Sequence, residues 1–229
     1  MKIQTLLETD LYRYQQEWMN KTDPVLNVNA RPTGGRASNS PSLVTYGFHY
    51  GMEQLGIQLP KRWNSTFATN SPGDSLYMDS LDNKGIRRIV LPEDRVVGFV
   101  DNDFNDNQYR EFSIPRLVNK IAELMESKGS LYTWMMEFMR TERTSEDGFD
   151  EFHDLVVELD KFLEKAGQLT FTQVVTQVLQ AFIESGLIGV SDFGDLPDGN
   201  YEVWFEGPYE AHLIDDTDTD GPDPHDLDR

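Results

Sequence analysis

The spacing of apolar residues changes twice along the chain, and each change predicts a change of secondary structure. Leu7, Leu11, Tyr14 and Trp18 lie on one helical face, which predicts a helix over residues 3–19 that stops before Asp23-Pro24. VLNVNA then alternates as a strand does and runs into RPTGGRASNSP, a loop rich in Gly, Ser and Pro that carries Arg31 and Arg36. LVTYGFHYGMEQLG fits either period; Leu43, Tyr46, Tyr50 and Leu55 favour a short helix. STFAT has strand composition, and GIRRIVLPED followed by VVGFVD reads as two strands joined through Pro92-Glu93-Asp94-Arg95.

From Ile114 the period becomes helical. Ser113 and Pro115 start a helix that carries Leu117, Ile121, Leu124 and Met125 and stops at Gly129. Leu131, Trp134, Met135 and Phe138 mark a second helix. Phe152, Leu155, Val156, Leu159, Phe162 and Leu163 mark a third, ending at Gly167, and Phe171 to Phe182 a fourth, capped by Thr170 and stopped at Gly186. β character returns in GNYEVWFEGPYEAHLI, with Val203, Phe205 and Tyr209 on one face and Glu202 and Trp204 on the other. The reading is an α+β protein. An N-terminal helix and first β part fill residues 1–113, a helical insertion 114–186 and a terminal β part 187–214, before an acidic tail at 215–229.

Composition narrows the function classes. The 229 residues carry a net charge of −20, of which the tail from Asp215, with seven Asp and one Arg, supplies −6. Such a field disfavours direct contact with nucleic acid or an anionic membrane and favours basic partners. The tail has no apolar residue except Leu227, cannot bury surface, and is expected to be disordered. No window is apolar enough for a membrane span, and the start MKIQTLLETDLYRYQQEW is acidic and amphipathic rather than a signal peptide, so a soluble protein of the cytoplasm or a virion is expected. Without cysteine there is neither a disulfide nor a thiol nucleophile.

Metal and nucleotide motifs fail on inspection. DNDFND at 101–106 places Asp101, Asp103 and Asn105 like a calcium loop, but Asp106 stands where a Gly must turn the chain and Phe112 where a Glu must ligate. His49, His153, His212 and His225 lack any metal-binding spacing, so no metal is expected. No phosphate loop, nucleophile elbow or dinucleotide fingerprint occurs.

What remains is an ordered set: Arg31 at the end of a strand, the Ser65-Thr66 strand, and a late strand bearing Glu202. This order resembles the arginine, Ser-Thr-Ser and glutamate layout of the mono-ADP-ribosyltransferases. More narrowly, WNSTFATNSPGDSLYMDSLDNKGIRRIVLPED with GNYEVWFEGPYEAHLI is similar to ADP-ribosyltransferase-like proteins of tailed bacteriophages. The resemblance implies two small antiparallel sheets around a cleft that holds NAD. It implies Glu202 as the carboxylate that stabilises the oxocarbenium-like ribose, with Ser65 orienting it. Arg31, or second Arg36, would pair with the pyrophosphate, Thr66 would line the cleft, and Phe67 would pack on nicotinamide. A host or phage protein would accept the ADP-ribose.

The chain departs from that layout in having Ser-Thr-Phe for Ser-Thr-Ser, and Asn200 two residues before Glu202. These departures, and the wide stripe of Trp134, Met135, Met136, Phe138 and Met139, motivate an alternative: a non-catalytic virion or assembly protein on the same scaffold, which would oligomerise. The acidic charge motivates a third reading, an inhibitor that imitates DNA and binds a host enzyme.

Overall fold

The computed structural model describes residues 11–14, 24–28, 36–37, 42–70, 86–101, 123, 129–141 and 143–213. In chain order these form β1 (Leu11–Tyr14), β2 (Val25–Val28), β3 (Arg36–Ala37), α1 (Ser42–Gln54), β4 (Thr66–Thr69), β5 (Ile86–Val90) and β6 (Val96–Asp101). There follow α2 (Ser130–Arg140), β7 (Arg143–Thr144), α3 (Glu146–Lys165), α4 (Phe171–Glu184), β8 (Ile188–Asp192), one 3-10 turn (Phe193–Asp195), β9 (Tyr201–Phe205) and β10 (Tyr209–Leu213). The architecture is α+β, as the periodicity predicts.

One expected element is different. The spacing of Leu7, Leu11, Tyr14 and Trp18 predicts a helix, yet Leu11–Tyr14 is a strand inserted between β4 and β5. It pairs in register with β5 (Leu11 with Ile89, Tyr14 with Ile86) and with β4 (Tyr12 with Thr69), and Leu11 is fully buried. Both edges of this four-residue strand are hydrogen-bonded to neighbours remote in sequence, which overrides local spacing. The rest of 3–19, the helix expected from Ser113, the turn after Asp101 and the acidic tail lie outside the described residues.

The strands form one antiparallel eight-stranded sheet in the order β2-β10-β5-β1-β4-β9-β6-β8, with β3 and β7 as a separate two-stranded ribbon. The resemblance implies two small sheets; hydrogen bonding instead runs on from β1 to β4 across the middle. Chain connectivity shows how such a sheet must bend. Residues 206–208 join β9 to β10, four places apart in the order. In a flat sheet that gap is ~19 Å, whereas the four residue steps from Phe205 to Tyr209 reach ~14 Å. The sheet therefore doubles over, and the Phe205 and Tyr209 rings meet edge to face at 5.4 Å. Inside the fold lies a core of Leu11, Ala68, Ile89, Val97, Phe99, Val203, Phe205 and Ala211, drawn from six strands. Arg95, from the five-residue β5–β6 connection, pins this closure by donating to the carbonyl of Glu206 at 2.7 Å.

The helices cover the other face of β4, β9, β6 and β8. Glu202 and Trp204 point to this side and Val203 and Phe205 to the folded core, the alternation the sequence predicts. α1 is buried from Ser42 through Met52, packed by α2, α3 and α4 and, through Phe48, against Trp204 of the sheet. Thr170 caps α4 as expected, forming a capping box with Gln173, and α3 is capped by a residue that sequence reasoning does not single out, Ser145, whose hydroxyl accepts from Gly148 N–H. The stripe on α2 faces this core: Met135 and Phe138 are buried in it, and Trp134, Met136 and Met139 are partly buried against it. The helical segment thus shares its core with α1 and Trp63 rather than enclosing one of its own.

Candidate functional site

Residues 60–65, PKRWNS, cross from the helical layer to the start of β4, and this crossing is fastened at every step. Trp204 Nε1 donates to the Pro60 carbonyl at 2.9 Å, and Lys61 N–H to Glu206 Oε1 at 2.6 Å. Arg62 N–H donates to His49 Nε2 at 3.2 Å, Trp63 Nε1 to Glu146 Oε2 at 2.8 Å, and the Ser65 hydroxyl to the Lys61 carbonyl at 2.8 Å. The last bond spans four residues and closes the turn. The Lys61 ammonium pairs with Glu53 and sits 4.3 Å over the Phe149 ring, with His153 on the other oxygen of Glu53.

This frame delivers Arg62 to the sheet. Its guanidinium lies 5.0 Å from the Phe67 ring centroid and 4.8 Å from that of Trp204, and its Nη2 is 2.7 Å from Glu202 Oε1. Phe67 and Trp204 are opposite one another in the β4–β9 register and stack with their planes 26° apart. Glu202, two residues before Trp204, shares that face and stands opposite Thr69. The Arg62 and Glu202 side chains keep 21% and 27% of their surface exposed, so the pair opens to solvent at one end of an aromatic floor. Asn70 sets the register: its Oδ1 accepts from Tyr201 N–H at 2.6 Å and its Nδ2 donates to the Gly199 carbonyl at 2.7 Å, holding the entry to β9 against the exit of β4.

His49 is buried beneath the crossing. Loss of water pushes its pKa well below the ordinary imidazole value, and the nearby Arg62 and Lys61 cations push the same way. The neutral ring is what the geometry uses, because Nε2 must be an acceptor for Arg62 N–H.

The expected site residues divide. Glu202 and Phe67 come together on one face. Ser65 is buried and turned to the Lys61 carbonyl rather than to Glu202. Thr66 opposes Phe205 and is 7% exposed, on the side of the folded core, so it does not share the Phe67 face. Alternation along β4 decides this, since adjacent residues point oppositely. Arg36 lies in β3, paired with Thr144 of the ribbon, and Arg31 lies outside the described residues. Arg62 and Asn70 are the residues that sequence reasoning passes over. An arginine five places before Phe67 carries no motif, although a charge beside a Trp at a strand entry is a signal for stacking.

Among the described residues there is no cluster of three metal-ligating side chains, and no helix is long and apolar enough to cross a membrane. No protein-family model, curated protein or solved structure matches this chain.

Proposed function

We propose that this chain is an ADP-ribosyltransferase-like protein of phage type, which binds NAD at the Phe67–Glu202 face and transfers ADP-ribose to a host or phage protein. One observation carries the reading: β4, which follows Ser65 and begins at Thr66, pairs directly with β9, and Glu202 stands opposite Thr69 on the face that also carries Phe67. Of the arginine, Ser-Thr and glutamate order, the Ser-Thr and glutamate strands are neighbours, whereas β2, the strand before Arg31, lies four places from β4. Arg31, or second Arg36, remains the candidate for the pyrophosphate.

In this mechanism the bond between ribose C1′ and the nicotinamide nitrogen breaks with its electron pair leaving on neutral nicotinamide. The positive charge that develops at the ribose is stabilised by the Glu202 carboxylate, and Phe67 packs on the departing ring. An acceptor nucleophile then bonds C1′ and gives up its proton. Thermal-shift titration with NAD tests the reading. NAD is expected to raise the Tm of the wild type and of Glu202→Gln alike, to lose its effect in Arg31→Ala, and to label acceptor protein only with Glu202 intact. No shift at millimolar NAD rejects it.

A second reading, a non-catalytic virion or assembly protein on the same scaffold, is favoured by the pairing of Glu202 with Arg62, which neutralises the carboxylate the chemistry needs. NAD binding without transfer in the wild type, together with oligomers in light scattering, would select it.

A further inference from the structure

Arg62 is held in two unlike ways. Its backbone belongs to a crossing fixed by bonds to His49, Glu206, Glu146 and the Lys61 carbonyl, whereas its guanidinium lies on two rings and one carboxylate at a surface that water reaches. The side chain can therefore leave without unseating the main chain. What it would vacate is chemically specific: a floor of two nearly parallel rings, Phe67 and Trp204, and a carboxylate wall at Glu202. Ring faces attract a flat delocalised cation, the carboxylate supplies the counter-charge, and both depend on the ligand being positive. A guanidinium satisfies all of these demands, and so does a pyridinium ring.

We propose that Phe67, Trp204 and Glu202 form a seat for a planar organic cation, and that Arg62 is its built-in occupant, which a ligand must displace. The ligand class is a pyridinium or an aryl- or alkyl-guanidinium. This deepens the NAD reading, whose nicotinamide is such a cation, but it rests on the Arg62 geometry and concerns the ring alone. It also assigns Arg62 a role distinct from structural pairing: the occupant lowers apparent affinity by the fraction of time that it holds the seat.

The experiment titrates 1-methylnicotinamide, with neutral nicotinamide as control, into wild type, Arg62→Ala and Arg62→Ala/Glu202→Gln, reading tryptophan fluorescence and calorimetry. Removing one stacked, paired cation is expected to tighten 1-methylnicotinamide binding by about tenfold or more over wild type, since ~1.4 kcal/mol of competing interaction corresponds to that factor. Neutral nicotinamide should show no comparable gain, and the double variant should lose it. Equal affinity in wild type and Arg62→Ala, a gain that survives Glu202→Gln, or equal gain for the neutral amide would each overturn the proposal. If Arg62→Ala does not fold by near-ultraviolet circular dichroism, Arg62→Gln, a shorter neutral side chain, carries the same titration and the same criteria. A gain for the pyridinium with no NAD binding in any variant supports the seat while rejecting the NAD reading, so the two failures are separable.

Discussion

A Cβ placed on Gly98 would fall 2.3 Å from Cε2 of Trp204, its register partner across β6 and β9. The indole occupies the space that a side chain at residue 98 would need, and the same ring lies 4.8 Å from the Arg62 guanidinium. Gly98→Ala is therefore expected to push Trp204 out of place. Overpacking of this kind costs about 2 kcal/mol, and for a chain of this size the Tm should fall by about 4–8 °C. Calorimetry would show it. An unchanged Tm would mean that the indole can shift without loss.

Asp160 of α3 serves α4 as a cap supplied from another helix. Its Oδ1 accepts from Phe171 N–H at 2.7 Å and its Oδ2 from the Thr172 hydroxyl, which in turn meets Tyr50 of α1. The carboxylate also faces the positive end of the α4 dipole. Asp160→Ala leaves these donors without their acceptor, and urea unfolding should show a loss of about 2–3 kcal/mol. Asp160→Asn, which keeps one acceptor, should lose less.

His49 makes the fold sensitive to acid. Its pKa is lowered by burial first and by Arg62 and Lys61 second, from an ordinary value of 6.5. Above that value the imidazole is neutral whether folded or unfolded, so it adds no pH dependence. As pH falls below it, the unfolded chain gains a proton that the folded chain refuses, and stability drops by up to about 1.4 kcal/mol per pH unit. The urea midpoint of the wild type should fall between neutral pH and pH 5 more steeply than that of His49→Gln, which cannot titrate. Parallel curves would remove His49 as the cause.

Ser65→Ala separates stability from function. Its hydroxyl ties the 61–65 turn to the Lys61 carbonyl, which keeps the Asn64 N–H at 2.9 Å when the hydroxyl is removed, so its loss should cost about 0.5–1.5 kcal/mol. Ser65 does not touch Glu202 directly, and any effect on NAD chemistry should reach it through the placement of Arg62. Conversely, Glu202→Gln should shift the urea midpoint little, because an ion pair open to solvent contributes about 0–1 kcal/mol and Gln keeps an oxygen for Arg62.

The periodicity of this sequence determined α2, α3 and α4, and Thr170, Gly167 and Gly186 marked their ends, since such signals act within a few residues of where they stand. It also determined which face of β9 carries Glu202 and Trp204, because alternation is a property of the backbone alone. Tertiary structure decided the rest. Leu11–Tyr14 became a strand only because β4 and β5 offered it two edges. The sheet folded over because residues 206–208 are too few to cross it flat. Arg62 met Glu202, 140 residues away, only because Asn70 and the Pro60 and Lys61 bonds fixed the crossing above β9. Local spacing encodes faces and ends, whereas contact between remote side chains is set by register and chain closure.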